Sequence, residues 1–331
     1  MKEKIKLIAT EEHFSPPSYL IDIVNQTVKK TDEEIAQLRI ECAREFGETR
    51  ITEMDAAGID VQVLMISTVR MKRLNGEAEI EFSSEANSYL YEITKSFPGR
   101  FEGFAVVPMS VPEAAAEEIT LAITKYGFKG VMISGNIDGR FLDDPFFEPI
   151  LERAVSLNIP IYLHPYPPTQ TVYETLFTGN YSPEVAGVFS KAGWWWHIET
   201  ALHIIRIILG GVFDRYPSLQ IIVGHMGETL SFMLPRLEYR LHQDLTKLER
   251  QIGEYLRENV YYTFGGFNYL PNFLNLFLQV GADRIMFSSD YPYSDLNKAA
   301  DFVRNLPICD MDKRRVSYEN AAKLLNIPIS I

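Results

Sequence analysis

Short apolar runs, each followed by a longer stretch compatible with helix, set the pattern of this chain. The first, Lys6 to Phe14, ends in a carboxylate and an imidazole at Glu11 and His13. Seven more follow: Ile59–Ser67, Phe101–Met109, Phe128–Ser134, Ile159–His164, Leu219–Gly224, Val260–Phe264 and Arg284–Ser289. Between them lie expected helices at Glu77–Ser96, Pro112–Lys125, Pro145–Leu157 and Trp195–Phe213. Helical sequence continues to Glu258, again through Leu278, and over the last forty residues. Ile51 to Gly58 reads as a short helix stopped by its glycine.

Continuous apolar strands alternating with helices imply a parallel sheet covered on its faces. Eight such units fit a closed (β/α)₈ TIM barrel better than an open doubly wound sheet. The latter calls for a Gly-rich phosphate turn after its first strand, where this chain has Glu11-Glu12-His13. No linker rich in Pro, Gly or Ser interrupts the rhythm, so residues 1–331 read as a single barrel domain. Segments 15–50 and 165–193 are expected to be insertions over the C-terminal mouth or contacts with another subunit.

Composition narrows the partners. Apolar residues make up 46% and charged ones 23%, a core-forming balance. The formal charge of −12 argues against a nucleic-acid partner. The N-terminal apolar run is too short for a secretory leader, and no run is long enough for a membrane span. Two distant cysteines, Cys42 and Cys309, form no disulfide framework, and a cytoplasmic location is expected.

Barrel chemistry sits where strands end. Glu11 with His13, His164, His225 and Asp290 all stand at such ends, and three of the chain's six histidines are among them. Carboxylate with imidazole suits Zn²⁺ or Mn²⁺, and the lack of nearby thiolates argues against a structural zinc cage. Alternation puts Glu11 and His13 on one face and turns Glu12 away, toward an ion pair. The glycines of Gly224-His225-Met226-Gly227-Glu228 allow close backbone approach, and Glu228 can orient the imidazole. Asp290 alone reads equally as a helix cap.

Other residues carry weaker signals. His197 and His203 fall on a helix and read as structural, and His242 reads as solvated. Trp194-Trp195-Trp196 suits core or subunit contact, with one ring able to line the mouth. Lys129 lies at the wrong end of its strand to bridge two metals, which favours one ion. Arg236 could reach an anionic substrate from the helix after His225, or be an ordinary surface arginine. Tyr293 could donate to a substrate oxygen, or simply pack.

These stretches resemble the amidohydrolase superfamily, specifically its non-oxidative aromatic decarboxylases acting on γ-resorcylate, 2,3-dihydroxybenzoate and 5-carboxyvanillate. Aminocarboxymuconate semialdehyde decarboxylase is a further relative. The matching segments are Ala9–Phe14, Met54–Asp60, Gly127–Gly130, Leu163–Pro165, Phe213–Pro217, Ile222–Glu228 and Asp290–Tyr293. Hydrolytic members open with His-x-His; Glu11-x-His13 is the form of the decarboxylase branch.

The resemblance implies one Mn²⁺ or Zn²⁺ on Glu11, His13, His164 and Asp290, and no organic cofactor. It implies His225 with Glu228 beside the open coordination positions, Asp290 as proton donor, and Arg236 on a substrate carboxylate. The implied activity is loss of CO₂ from a small hydroxylated aromatic acid by a homodimer or homotetramer. The alternative is metal-dependent hydrolysis of an amide, ester or lactone.

Overall fold

The computed structural model describes residues 5–25, 31–66 and 74–329. Eight parallel strands lie in sequence order: β1 (Ile8–Phe14), β2 (Val61–Ile66), β3 (Phe101–Val106), β4 (Gly130–Ser134), β5 (Ile161–His164), β6 (Ile221–Val223), β7 (Val260–Thr263) and β8 (Ile285–Met286). Helices fall between successive strands. The sheet closes on itself where Thr10 N donates to the Phe287 carbonyl (3.0 Å), Asp290 N to that of Glu11 (3.0 Å) and His13 N to that of Tyr291 (2.7 Å). This is the expected (β/α)₈ barrel. Among the described residues, no helix is long and apolar enough to cross a membrane.

Two apolar layers follow from strand alternation. Ile8, Met65, Phe104, Met132, Tyr162, Ile222 and Met286 fill the barrel, and Ala321, Ala322, Leu325 and Ile327 pack beneath them. The opposite faces, among them Ala9, Leu64, Ala105, Val131, Leu163 and Val223, pack on the helices. Lys129 lies 3.6 Å from Glu102 and donates to the carbonyl of Asn326, by the C-terminal segment and away from the site.

Several boundaries differ from expectation. Strands β4, β5 and β6 each begin two residues later than the apolar runs suggest, because their first residues belong to the turns leading in. Strand β8 keeps only two residues in its ladder, and Phe287 to Asp290 turn to bond β1 across the closing seam. The helix expected at Ile51–Gly58 is the end of a longer one, Asp32–Ala57, capped at its start by Thr31 and Glu34 and stopped at Gly58 with φ 69°. Trp195–Phe213 is two helices, Trp195–Leu209 and Val212–Arg215, broken at Gly210-Gly211. Between 165 and 193 stand two short helices, Gln170–Leu176 and Pro183–Phe189. Ser67, and residues 26–30 of the 15–50 segment, lie outside the described residues.

Candidate metal centre and proton relay

The site begins with an irregularity in β1. Ile8 and Ala9 pair with Val61 and Gln62, whereas Glu12, His13 and Phe14 pair with Leu64, Met65 and Ile66. Thr10 and Glu11 therefore stand opposite the single residue Val63, a bulge that reverses the alternation. Without it Glu11 and His13 would share the helix-facing side with Ala9. With it they join Met65 inside, while Glu12 turns outward.

Outside the barrel, Glu12 accepts from Ser289 N (2.7 Å), Ser289 Oγ and Gln62 Nε2 (3.1 Å), and lies 3.8 Å from Arg50 Nη2. The expected ion pair is thus present within a wider hydrogen-bonded set. Arg50 also donates to the carbonyl of His13 (3.2 Å) and stacks 4.0 Å from the Tyr291 ring, so this set braces the backbone on both sides of the seam.

Inside, one donor atom each from Glu11, His13 and His164 lie within 4.8 Å of one another, all three residues buried. Glu11 Oε2 accepts from Thr263 Oγ1 (2.7 Å), but Oε1 has no hydrogen-bond partner, and neither ring nitrogen of His13 has one. His164 Nδ1 donates to the carbonyl of Pro165 (2.8 Å), which leaves Nε2 as the lone-pair nitrogen. Burial, reinforced by His13, holds the His164 pKa down at about 3, in the neutral form that ligates. Unpaired buried acceptors of these types are costly unless a cation satisfies them, so the residues fit a divalent ion. Gly224 and Gly265 make room: a Cβ on either would stand 2.9 Å from the Glu11 carboxylate.

Asp290 stands beside this trio rather than within it. Its Oδ1 lies 3.3 Å from His13 Nε2, its side chain is 18% exposed, and its backbone is left-handed at φ 60°. The Tyr293 ring centroid is 5.5 Å from that of His13, and the Trp196 ring is 6.4 Å from His164, so one tryptophan does reach the site. Trp194 is half exposed. Arg236 is exposed on the helix Leu230–Arg240.

A second cluster joins His197, His225 and Glu228. Glu228 accepts from His225 Nδ1 at 2.5 Å and from His197 Nδ1 at 2.6 Å, and His225 Nε2 lies 4.0 Å from Glu11 Oε1. Burial alone would lower the His225 pKa, but Glu228 and Glu11 raise it to about 10. Burial likewise raises that of Glu228, and the two imidazoles outweigh it, leaving about 2. The two directions agree: each side chain favours the charged form of the other, across a short hydrogen bond next to the ligand trio.

The expectation for His197 needs correction. It is on a helix, as read, but its ring reaches the site. His203, six residues on, matches its structural reading, with Nε2 accepting from Leu142 N at 2.8 Å. Nothing local separates the two histidines, because only the turn after β6 decides which one meets a carboxylate. His242 is exposed at the start of the short helix Gln243–Thr246.

The chain resembles known proteins over nearly its whole length. A family model described as amidohydrolase matches residues 13–327. A γ-resorcylate decarboxylase of Polaromonas sp. strain JS666 is 31% identical, with 97% of this chain and 98% of that one covered. The crystal structure of a dihydroxybenzoic acid decarboxylase from Polaromonas sp. JS666, with manganese and the inhibitor 2-nitroresorcinol, superposes with TM-score 0.83 at 29% identity, covering 99% of this chain and 98% of that one. That of 5-carboxyvanillate decarboxylase from Sphingomonas paucimobilis gives TM-score 0.84 at 27% identity, covering 98% and 100%. The chain belongs to the amidohydrolase family, on the branch of its aromatic decarboxylases.

Proposed function

We propose that this protein is a metal-dependent, non-oxidative decarboxylase that releases CO₂ from a hydroxylated benzoate. The observation that carries this is the pairing of unsatisfied, buried Glu11 and His13 donors with an acid, Asp290, 3.3 Å away. Similarity to proteins named for resorcylate and carboxyvanillate supports the substrate class.

Glu11, His13, His164 and Asp290 would hold one divalent ion. Of Mn²⁺ and Zn²⁺, the reading favours manganese, which the related Polaromonas structure contains. When bound, such an ion supplies a Lewis acid for the carboxylate and the neighbouring phenolic oxygen of the substrate.

The protein's own part is to hold the ring and move one proton. Asp290 would donate to the carbon bearing the carboxylate, from a left-handed backbone that aims a short side chain at the mouth. The electron pair of the C–C bond then returns to the ring as CO₂ leaves. His225, kept charged by Glu228, would return the proton that Asp290 gives up. Tyr293, and Arg236 from the following helix, are assigned to substrate oxygens. Exposed Val188, Phe189 and Trp194 suit burial against a second subunit, so a homodimer or homotetramer is part of the proposal.

Manganese-loaded protein given a panel of hydroxybenzoates in D₂O tests this. The expected result is CO₂ with the matching phenol, carrying deuterium at the vacated carbon, and loss of turnover after chelation. Loaded protein that neither binds nor decarboxylates any member of the panel would overturn it.

A further inference from the structure

Glu228 is 1% exposed, and each of its oxygens is committed to a different imidazole. It sits in a tight turn in which His225, Met226, Glu228 and Thr229 all have positive φ, between 51° and 71°. Four non-glycine residues in that region are costly, and the fold must offset the cost with side-chain anchors. His197 is such an anchor. Its Nδ1 faces Glu228 Oε2 at 2.6 Å, and its Nε2 faces the carbonyl of Ala192 at 3.1 Å. The ring is therefore fixed from two sides. It also lies 4.9 Å from the His225 ring, with Phe267 against both at 5.0 and 5.6 Å.

We propose that His197 is a positioning residue, which holds the Glu228 carboxylate so that its other oxygen keeps His225 aimed at the ligand trio. This rests on the decarboxylase reading above for what His225 then does. Bound to His225 alone, the Glu228 carboxylate would be free to rotate about its last torsion, and the imidazole would follow it. The bond to Ala192 has a second consequence. Ala192 is the next-to-last residue of the segment 165–193, so the placement of that segment's end is transmitted through one ring to the proton-handling pair. His197 neither ligates nor touches substrate in this assignment; it acts through Glu228.

Amide side chains separate its two bonds. In His197→Asn the amide nitrogen falls near the Nδ1 position and keeps the bond to Glu228. In His197→Gln it falls near Nε2 and keeps only the bond to Ala192. His197→Phe keeps neither. In the full-length, manganese-loaded protein, kcat should fall about 10- to 100-fold in the Gln and Phe variants and stay within about threefold in Asn, as is usual for partners that orient an active imidazole. KM and manganese content should be unchanged in all three. Gln matching Asn, or a loss in all three that follows metal content, would overturn the proposal.

A crystal structure of the Phe variant gives an answer independent of the substrate. The expected result is loss of the 2.5 Å contact between His225 and Glu228. An unmoved pair would sink the proposal even if decarboxylation holds. If wild-type protein turns over no hydroxybenzoate, the functional reading fails while this geometric arm still decides the role of His197.

Discussion

Thr263, on β7, gives its hydroxyl proton to Glu11 Oε2 at 2.7 Å, across the width of β8. The same hydroxyl oxygen lies 3.0 Å from the Tyr162 hydroxyl, which must then donate to it. The chain Tyr162 to Thr263 to Glu11 occupies one carboxylate oxygen and leaves Oε1 for a cation.

Removing that hydroxyl while keeping the shape should therefore weaken metal binding before it affects folding. Thr263→Val is expected to lower Mn²⁺ affinity about 10- to 100-fold, the usual cost of losing a partner that orients a ligand. Competition against a fluorescent chelator measures it. Wild-type affinity in the variant would show that Glu11 needs no orientation.

Asp290→Asn keeps the size of the side chain and removes the transferable proton. CO₂ release should drop at least about 100-fold, the scale of a lost general acid. The melting temperature should stay close to that of wild type. A variant with near-full turnover would take Asp290 out of the proton-donor role.

Gly265 has φ 52°, and a Cβ there would meet His225 N at 2.5 Å and Glu11 Oε2 at 2.9 Å. Backbone and ligand crowd the same spot, so neither can yield cheaply. Gly265→Ala should cost about 1–3 kcal/mol in urea unfolding, as overpacking does, and displace Glu11 enough to lower metal content. Stability and metal content equal to wild type would show that the space is larger than it looks.

His203 supplies a pH dependence away from the metal centre. Burial, helped by Arg206, lowers its pKa to about 3, against roughly 6.5 for an exposed histidine. Above 6.5 both folded and unfolded states are neutral there, so the group contributes no slope. Between 6.5 and 3 only the unfolded chain takes the proton, so stability falls as pH falls. At pH 5 this amounts to about 2 kcal/mol from this one group. Urea unfolding at pH 7.5 and pH 5 should show a larger loss in wild type than in His203→Phe. Equal losses would mean that His203 is protonated in the folded protein.

Much of this architecture was legible along the chain. Eight apolar runs at regular spacing specify a covered parallel barrel, because strand and helix periods are local properties of neighbouring residues. The positions of Glu11, His13, His164, His225 and Asp290 at the ends of those runs follow from the same pattern, since strand ends define the barrel mouth. That Glu11 and His13 share a face follows from a spacing of two.

Which face they share does not. The bulge at Thr10-Glu11 exists only by counting against β2, and one extra residue decides whether the pair faces the barrel interior or a helix. Likewise, His197 and His203 ride one helix, with no local feature to separate a site residue from a core one. His197 reaches Glu228 because a turn of left-handed residues after β6 brings that carboxylate across to it. Composition and periodicity act within a segment, so they determined the strands, the helices and the roster of ligand-type side chains. Facing, pairing and the unsatisfied donors of the site depend on contacts between different segments, from 31 residues apart for His197 and Glu228 to 252 for Glu11 and Thr263, and those only the closed barrel could decide.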